Sequence, residues 1–370
     1  MIRRRSLKQW IVMLALIVTL QSTTVAVTAQ DVIQVPVATS YLETLDDTVE
    51  STDIVIPAGT TSMDVPMKVV AGGKIQLEFE AESLNQEVTI TAIDSDGTQL
   101  GDVTTLSNTQ LQVQEWIEKE EKGTFSLHIE TESSVEPITI SCQSLLYRTG
   151  NRTLVEKQWM AASLTENHTT AYYKINMTKS GYITIHGRTY QNSSGKLTIE
   201  LCNSKKASLN PKTNSLTLSN EYTVYYALKK GTYYLKVTDT TKPYKLRYKV
   251  TTSKDQGGSS KTKATTLTKG TTKTDLLYIN DSKSKSGWFQ FTLTKSQTLS
   301  MLITNYSTRK FEYELIAADS NVTLHNAKFY PSNGTAIFTT SDKLPKGTYY
   351  LKVSKQSTKD AGGFLSVKLQ

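Results

Sequence analysis

The chain has 370 residues, with 42 Lys plus Arg against 34 Asp plus Glu for a net charge of +8, and only two Cys and four His. So few cysteines exclude a disulfide framework. A Cys-based zinc site or a thiolate nucleophile also lacks partners, because Cys142 and Cys202 fall in different parts of the chain. The length accommodates two or three domains with separate cores.

The chain opens with a basic head, Met1-Ile2-Arg3-Arg4-Arg5, followed by an apolar run from Trp10 to Leu20 and the small-residue end Val27-Thr28-Ala29. This order reads as a secretory signal peptide over 1–29, cut before Gln30. The apolar run is about half of the roughly 20 residues that span a bilayer. An uncleaved N-terminal anchor is the rival reading and the only membrane attachment expected. No Cys follows the run, which argues against a lipid anchor. The expected location is extracellular, with release or non-covalent retention at the cell surface. Residues 30–47 are polar with scattered Val, either a loose arm or an added edge strand.

Beyond residue 47 the chain repeats. Gly231-Thr232-Tyr233-Tyr234-Leu235-Lys236-Val237 returns as Gly347-Thr348-Tyr349-Tyr350-Leu351-Lys352-Val353, with a fainter copy at Gly123-Thr124-Phe125-Ser126-Leu127-His128-Ile129. Upstream, Trp288-Phe289-Gln290-Phe291 lines up with Tyr172-Tyr173-Lys174-Ile175 without a net gap. A repeat at this spacing means one structural unit used three times. Period-two alternation runs through every copy and no stretch sustains a helical period, so the fold class is all-β, three tandem antiparallel β-sandwich modules of jelly-roll-like form. Turn-rich stretches set the boundaries: module 1 over 48–149, module 2 over 150–253, a Gly/Ser-rich linker over 254–262, and module 3 over 263–370. Parity in the repeated strand puts Tyr233, Leu235, Val237 and Tyr349, Leu351, Val353 in the core. Cys142 and Cys202 stand at apolar-facing positions, where two buried free thiols are favoured over a bridge across the boundary.

Charge divides unevenly among the modules. From Gln30 to Thr149 there are 21 acidic and 5 basic residues, a net of −16. From Gly150 to Lys254 the net is +12, and from Asp255 to Gln370 it is +8. An acidic first module followed by two basic ones bears on partners, not on fold.

Lys263-Ala264-Thr265-Thr266-Leu267, then Gly287-Trp288-Phe289-Gln290-Phe291, then Gly347-Thr348-Tyr349-Tyr350-Leu351 resembles the bacterial pre-peptidase C-terminal domain. The resemblance covers nearly all of module 3 and most of module 2, where Tyr172 replaces the Trp. In module 1 only the spacing and Gly-Thr-Phe remain. It implies compact β-sandwiches carried on secreted and surface proteins and associated with carbohydrate or substrate binding. The motif is mostly a packing signature, so it bears on fold far more than on ligand.

Motifs for catalysis are missing: no His-Glu-x-x-His, no Gly-x-Ser-x-Gly and no phosphate-cradling glycine loop. The expectation is a non-catalytic protein without a cofactor. One acidic cluster, Asp94-Ser95-Asp96-Gly97 with Asp102, has the look of a calcium loop, but it lacks the bidentate Glu. Asp-Gly between two strands is also a standard hairpin turn, the favoured reading. Candidate ligand-binding residues are Tyr234, Lys236, Tyr350 and Lys352, which parity turns outward, and Lys245, Arg247 and Lys249 on a strand whose apolar residues alternate with them. The functional reading is a face of Tyr platforms and a basic stripe for an extracellular glycan or an anionic cell-wall polymer. The structural reading is that Lys guards exposed strands and Tyr is a good strand former. Nucleic acid is not an expected partner, because no reading motif accompanies the charge. The alternative function is a structural or interaction protein whose acidic module 1 docks basic partners or neighbouring copies.

Overall fold

The computed structural model describes residues 35–36 and 50–370, apart from 190–194, 210–213, 219–221, 239–241, 283, 308–309, 319–322, 332 and 357–361. The expected signal peptide and most of the arm lie outside the described residues. Among the described residues no helix is long and apolar enough to cross a membrane.

The first third of the fold consists of β1 (Val35–Pro36), β2 (Glu50–Ile56), β3 (Ser62–Val69), β4 (Gly73–Glu80), β5 (Val88–Asp94), β6 (Thr104–Leu106), β7 (Gln112–Lys119), β8 (Gly123–Thr131) and β9 (Ile138–Arg148). The second comprises β10 (Arg152–Thr153), β11 (Met160–Ala162), β12 (Thr170–Met177), β13 (Gly181–Thr189), β14 (Gly195–Cys202), β15 (Asn214–Leu218), β16 (Tyr222–Leu228), β17 (Gly231–Thr238) and β18 (Tyr244–Thr252). The third comprises β19 (Thr265–Thr266), β20 (Thr272–Leu277), β21 (Ser286–Leu293), β22 (Ser300–Ser307), β23 (Glu312–Ala317), β24 (Thr323–Phe329), β25 (Gly334–Thr339), β26 (Gly347–Ser354) and β27 (Gly363–Leu369). The fold is all-β, and the one helical element among the described residues is a short 3-10 turn, Lys261–Lys263.

The three thirds repeat one front sheet. Its order is β1-β3-β8-β5-β6, then β10-β12-β17-β14-β15, then β19-β21-β26-β23-β24. The first strand of each is a two-residue parallel addition and the rest are antiparallel. Val35–Pro36, paired with Met67 and Lys68, makes that part of the arm an added edge strand. Alternation fixes what each sheet buries. Leu127, Leu235 and Leu351, on the central strands β8, β17 and β26, are all fully buried, each in a separate apolar core. The Tyr233 and Tyr349 rings also turn inward, and their hydroxyls donate to the carbonyls of Lys229 and Pro345, so burial leaves no donor unmet.

The back sheets differ. In the third sandwich the order is β20-β27-β22-β25. The first two sandwiches share one sheet of eight strands, in which β11 joins β18 on one side and the end of β9 on the other, Ala162 facing Arg148. Continuous backbone pairing thus crosses the stretch read as the first boundary. The Gly/Ser stretch before the third sandwich is packed rather than loose. A Cβ on Gly257 would lie 2.0 Å from Asp275 Oδ2, and one on Gly258 would lie 2.0 Å from the Lys263 carbonyl oxygen. These glycines serve close approach, not flexibility.

The second and third sandwiches meet through their back sheets. On β13 and β16 the residues opposite in parity to the core, Tyr182 and Tyr225, pack against Tyr306 of β22 and Phe364 of β27 at ring separations of 5.1–5.9 Å. Ala227, Leu276 and Tyr278 form a small buried cluster beside them. Lys355, 1% exposed, donates 3.1 Å bonds from Nζ to the carbonyls of both Tyr278 and Ile279 and pins the turn that follows β20.

Candidate functional site

Two matching clusters occupy the outer faces of the second and third front sheets. In the second sandwich, β12 and β17 run antiparallel with Tyr172 opposite Lys236 and Lys174 opposite Tyr234. Since Tyr173, Ile175, Tyr233, Leu235 and Val237 face the core, these four face outward. The Tyr172 and Tyr234 rings meet edge to face at 6.5 Å. On the other side of β17, Glu200 lies opposite Lys236, with their charges 3.7 Å apart. Lys206 completes the cluster with Nζ 4.6 Å from the Tyr172 ring centre and 5.6 Å from that of Tyr234. It sits in a tight turn in which Asn203 Oδ1 accepts from the N–H groups of Lys205 and Ala207, and its φ of 61° is unusual for a side-chain-bearing residue.

The third sandwich rebuilds this arrangement with changed residues. Trp288 stands opposite Lys352 and Gln290 opposite Tyr350. The Trp288 and Tyr350 rings meet edge to face at 6.4 Å. Glu314 lies opposite Lys352 at 3.3 Å. The cation over the ring now comes from another direction: Lys261, in the 3-10 turn, places Nζ 4.8 Å from the Tyr350 centre. Each cluster is therefore an exposed-side aromatic pair, a cross-strand Lys–Glu pair and a lysine laid over a ring.

The first sandwich keeps the frame and loses the aromatic pair. Asp64 and His128 occupy the register of Tyr172 and Lys236, while Pro66 and Ser126 replace Lys174 and Tyr234. His128 Nδ1 lies 2.7 Å from Asp64, and Nε2 lies 3.6 Å from Glu130. The bond to Asp64 holds the imidazole pKa above its usual value.

Four of the seven expected binding residues, Tyr234, Lys236, Tyr350 and Lys352, thus belong to these clusters. The other three do not, and the open basic stripe is corrected. Lys245 is only 4% exposed, on β18, which lies inside the eight-stranded sheet between β13 and β11. The Arg247 guanidinium stacks 4.5 Å from the Trp159 ring centre, with Arg188 on the same ring at 4.7 Å. Of the three, Lys249 alone is exposed. Sequence reasoning also left out Tyr172, Trp288, Lys206, Lys261, Glu200 and Glu314 as site residues. The signal for the first two was present in the aligned strands, where Tyr172 and Trp288 match each other and stand directly opposite the repeated Lys.

The acidic loop is a turn. Asp94 Oδ1 and Oδ2 accept from Lys119 Nζ at 2.7 and 2.8 Å, and Asp96 Oδ1 accepts from the Thr98 N–H. Gly97 has a φ of 87°, which closes the hairpin. The Asp102 backbone N–H donates to the Glu115 carboxylate at 3.0 Å. Among the described residues no His, Cys, Asp and Glu group is arranged to hold a metal. Cys142 and Cys202 are unbridged and buried, and burial pushes their thiols up to about 12 and about 11, which disfavours the thiolate form at neutral pH.

No family model matches the chain, and no curated protein matches it. Among solved structures, the pre-peptidase C-terminal domain of collagenase from Bacillus anthracis is similar at 18% identity and a TM-score of 0.22, covering 28% of this chain and 96% of that one. A triple jelly roll protein of an archaeal virus is similar at 10% identity and a TM-score of 0.17, covering 87% of this chain and 88% of that one. The tandem CBM22 domains of Paenibacillus barcinonensis Xyn10C are similar at 9% identity and a TM-score of 0.19, covering 56% and 84%. Likenesses this distant say nothing of ligand or activity. The class rests on this chain's own sheets: tandem β-sandwiches, two of them with an aromatic–lysine face.

Proposed function

We propose that the protein is an extracellular, non-catalytic binder of anionic sugar polymers at the bacterial cell envelope or in its surroundings, acting through the outer-face clusters of the second and third sandwiches. The observation that carries this reading is the duplicated cluster. A packing role alone would conserve the inward Tyr233 and Tyr349 and leave the outward positions to vary; instead both copies present a ring pair, a Lys–Glu pair and a second lysine. Aromatic rings take the apolar C–H face of a pyranose, while the lysines answer a carboxylate or phosphate on the same unit. Lys206 and Lys261 are long enough to leave the ring face and meet that anion as the sugar takes their place. The Lys–Glu pairs hold their neighbours in position and offer hydroxyl partners.

The test is retention of the full chain on purified bacterial cell wall and on a panel of neutral and hexuronate oligosaccharides. Tyr172→Ala, Tyr234→Ala, Trp288→Ala and Tyr350→Ala together are expected to weaken retention by at least about tenfold, the equivalent of about 1.4 kcal/mol. Binding is expected to fall with salt, because exposed charges are screened within about 10 Å at 0.1 M. A four-ring variant that binds as well as the wild type would refute the reading. The rival is an interaction protein that docks basic partners on its first sandwich. What favours it is the acid-flanked His128 in place of the ring pair; a wild type that ignores every polymer but captures a polycationic peptide would support it.

A further inference from the structure

The two clusters face away from each other, and this constrains how a polymer is held. Each sandwich has its cluster on the front sheet, with side chains opposite in parity to the core. The second and third sandwiches touch through the outer faces of their back sheets, where Tyr182 and Tyr225 meet Tyr306 and Phe364. Ile183, Ile185, Val224 and Tyr226 on β13 and β16 point the other way, into the second core. Met301, Ile303, Leu365 and Val367 on β22 and β27 do the same in the third. The order through the junction is therefore front sheet, core, back sheet, aromatic contact, back sheet, core, front sheet. With packed sheets about 10 Å apart, the two front sheets stand roughly 30 Å from each other on opposite sides.

The junction is also built to stay put. Lys355 is buried on the carbonyls of Tyr278 and Ile279 in the turn after β20, and the N–H of that same Ile279 donates to the Ala227 carbonyl across the join at 3.1 Å. Tyr278 lies in the contact with Lys229 and Lys285 over its ring at 5.4 and 5.1 Å. Asp275, 2% exposed, fills the space left by Gly257 and Gly287 and accepts from the Leu276 N–H. A hinge would carry few buried polar bonds and loosely packed glycines; this segment has the reverse. The two faces cannot swing round to form one groove.

We propose that the second and third sandwiches engage separate polymer chains and cross-bridge them. The inference rests on the polymer-binding reading above and adds the geometry of engagement. Two sites on one side would raise affinity for a single chain, whereas two sites on opposite sides convert the same contacts into links between chains.

The experiment mixes the full-length protein with a suspension of purified cell-wall fragments and reads both retention and clumping by light scattering. Wild type is expected to bind and to clump the fragments. Tyr172→Ala with Tyr234→Ala, or Trp288→Ala with Tyr350→Ala, removes one cluster at outward positions. Each such variant is expected to stay bound through its other cluster but to need at least about tenfold more protein for equal clumping. An unchanged circular dichroism spectrum and thermal unfolding midpoint report that each variant is folded. Clumping by both one-cluster variants at the wild-type concentration would overturn the proposal, because the links would then come from self-association. Wild type that binds without clumping would overturn it too and leave the binding reading intact. Wild type that fails to bind would remove both.

Discussion

The first front sheet and its two successors share strand order, register and a buried central leucine, yet their outer faces carry different chemistry. In the second and third, rings stand opposite and beside Lys236 and Lys352, with Lys174 or Gln290 at the fourth position; in the first, Asp64, Pro66, Ser126 and His128 occupy the four positions. The inward positions are held by packing, so all three copies keep them apolar. The outward positions are free of that constraint, and there the copies divide into acidic and basic–aromatic, matching the net charges of −16 against +12 and +8. Shared packing thus identifies the frame, and the outward differences identify where function was allowed to change.

The largest expected effects test the shared frame. Leu127→Ala, Leu235→Ala and Leu351→Ala should each cost about 2–5 kcal/mol in denaturant unfolding, since each empties a fully buried site. A negligible loss at any one of them would break the equivalence of the three copies. The next effects are set by pH. Burial first, then the neighbouring Asp255 carboxylate, push Asp275 up to about 8. Lys285 and Asp281 lie close by, and Tyr313 feels the same carboxylate. The folded state holds the Asp275 proton more tightly than the unfolded chain, so stability should fall as pH rises from about 4 through about 8. Asp275→Asn should flatten that part of the profile; an unchanged slope would contradict the burial account. In the first sandwich the raised His128 adds stability that is complete below about 6.5 and lost as pH climbs through its folded value. His128→Ala should remove that smaller step. The smallest effects belong to outward-facing charge. Lys236→Ala, Lys352→Ala and Lys249→Ser should each change stability by about half a kcal/mol or less, and a larger loss would mean that the outer faces help to hold the frame.

Much of this was legible in the sequence where the signal is local. Alternation along a single strand placed Tyr233, Leu235 and Val237 inside and Tyr234 and Lys236 outside without reference to any other strand. The Asp94–Gly97 turn was legible for the same reason. What depends on neighbouring strands was not. Lys245 has outward parity, but β11 beside it is three residues long, too short to show a period, and it turns β18 into an interior strand. Glu200 and Glu314 gain meaning only from the register that sets them beside Lys236 and Lys352. Gly257 and Gly258 read as part of a Gly/Ser-rich linker, and glycine serves flexibility and close approach alike; only the position of Asp275 and the Lys263 carbonyl separates the two.

The central claim is where the polymer lies, and hydroxyl-radical footprinting of the full-length protein on saturating cell-wall polymer measures that directly. The account predicts protection of Tyr172, Tyr234, Trp288 and Tyr350, with the exposed Tyr330 and the Arg-stacked Trp159 modified as in the free protein. Protection confined to Trp159 and the back-sheet face, or to the first sandwich, with the four front-face rings still reactive, would contradict it.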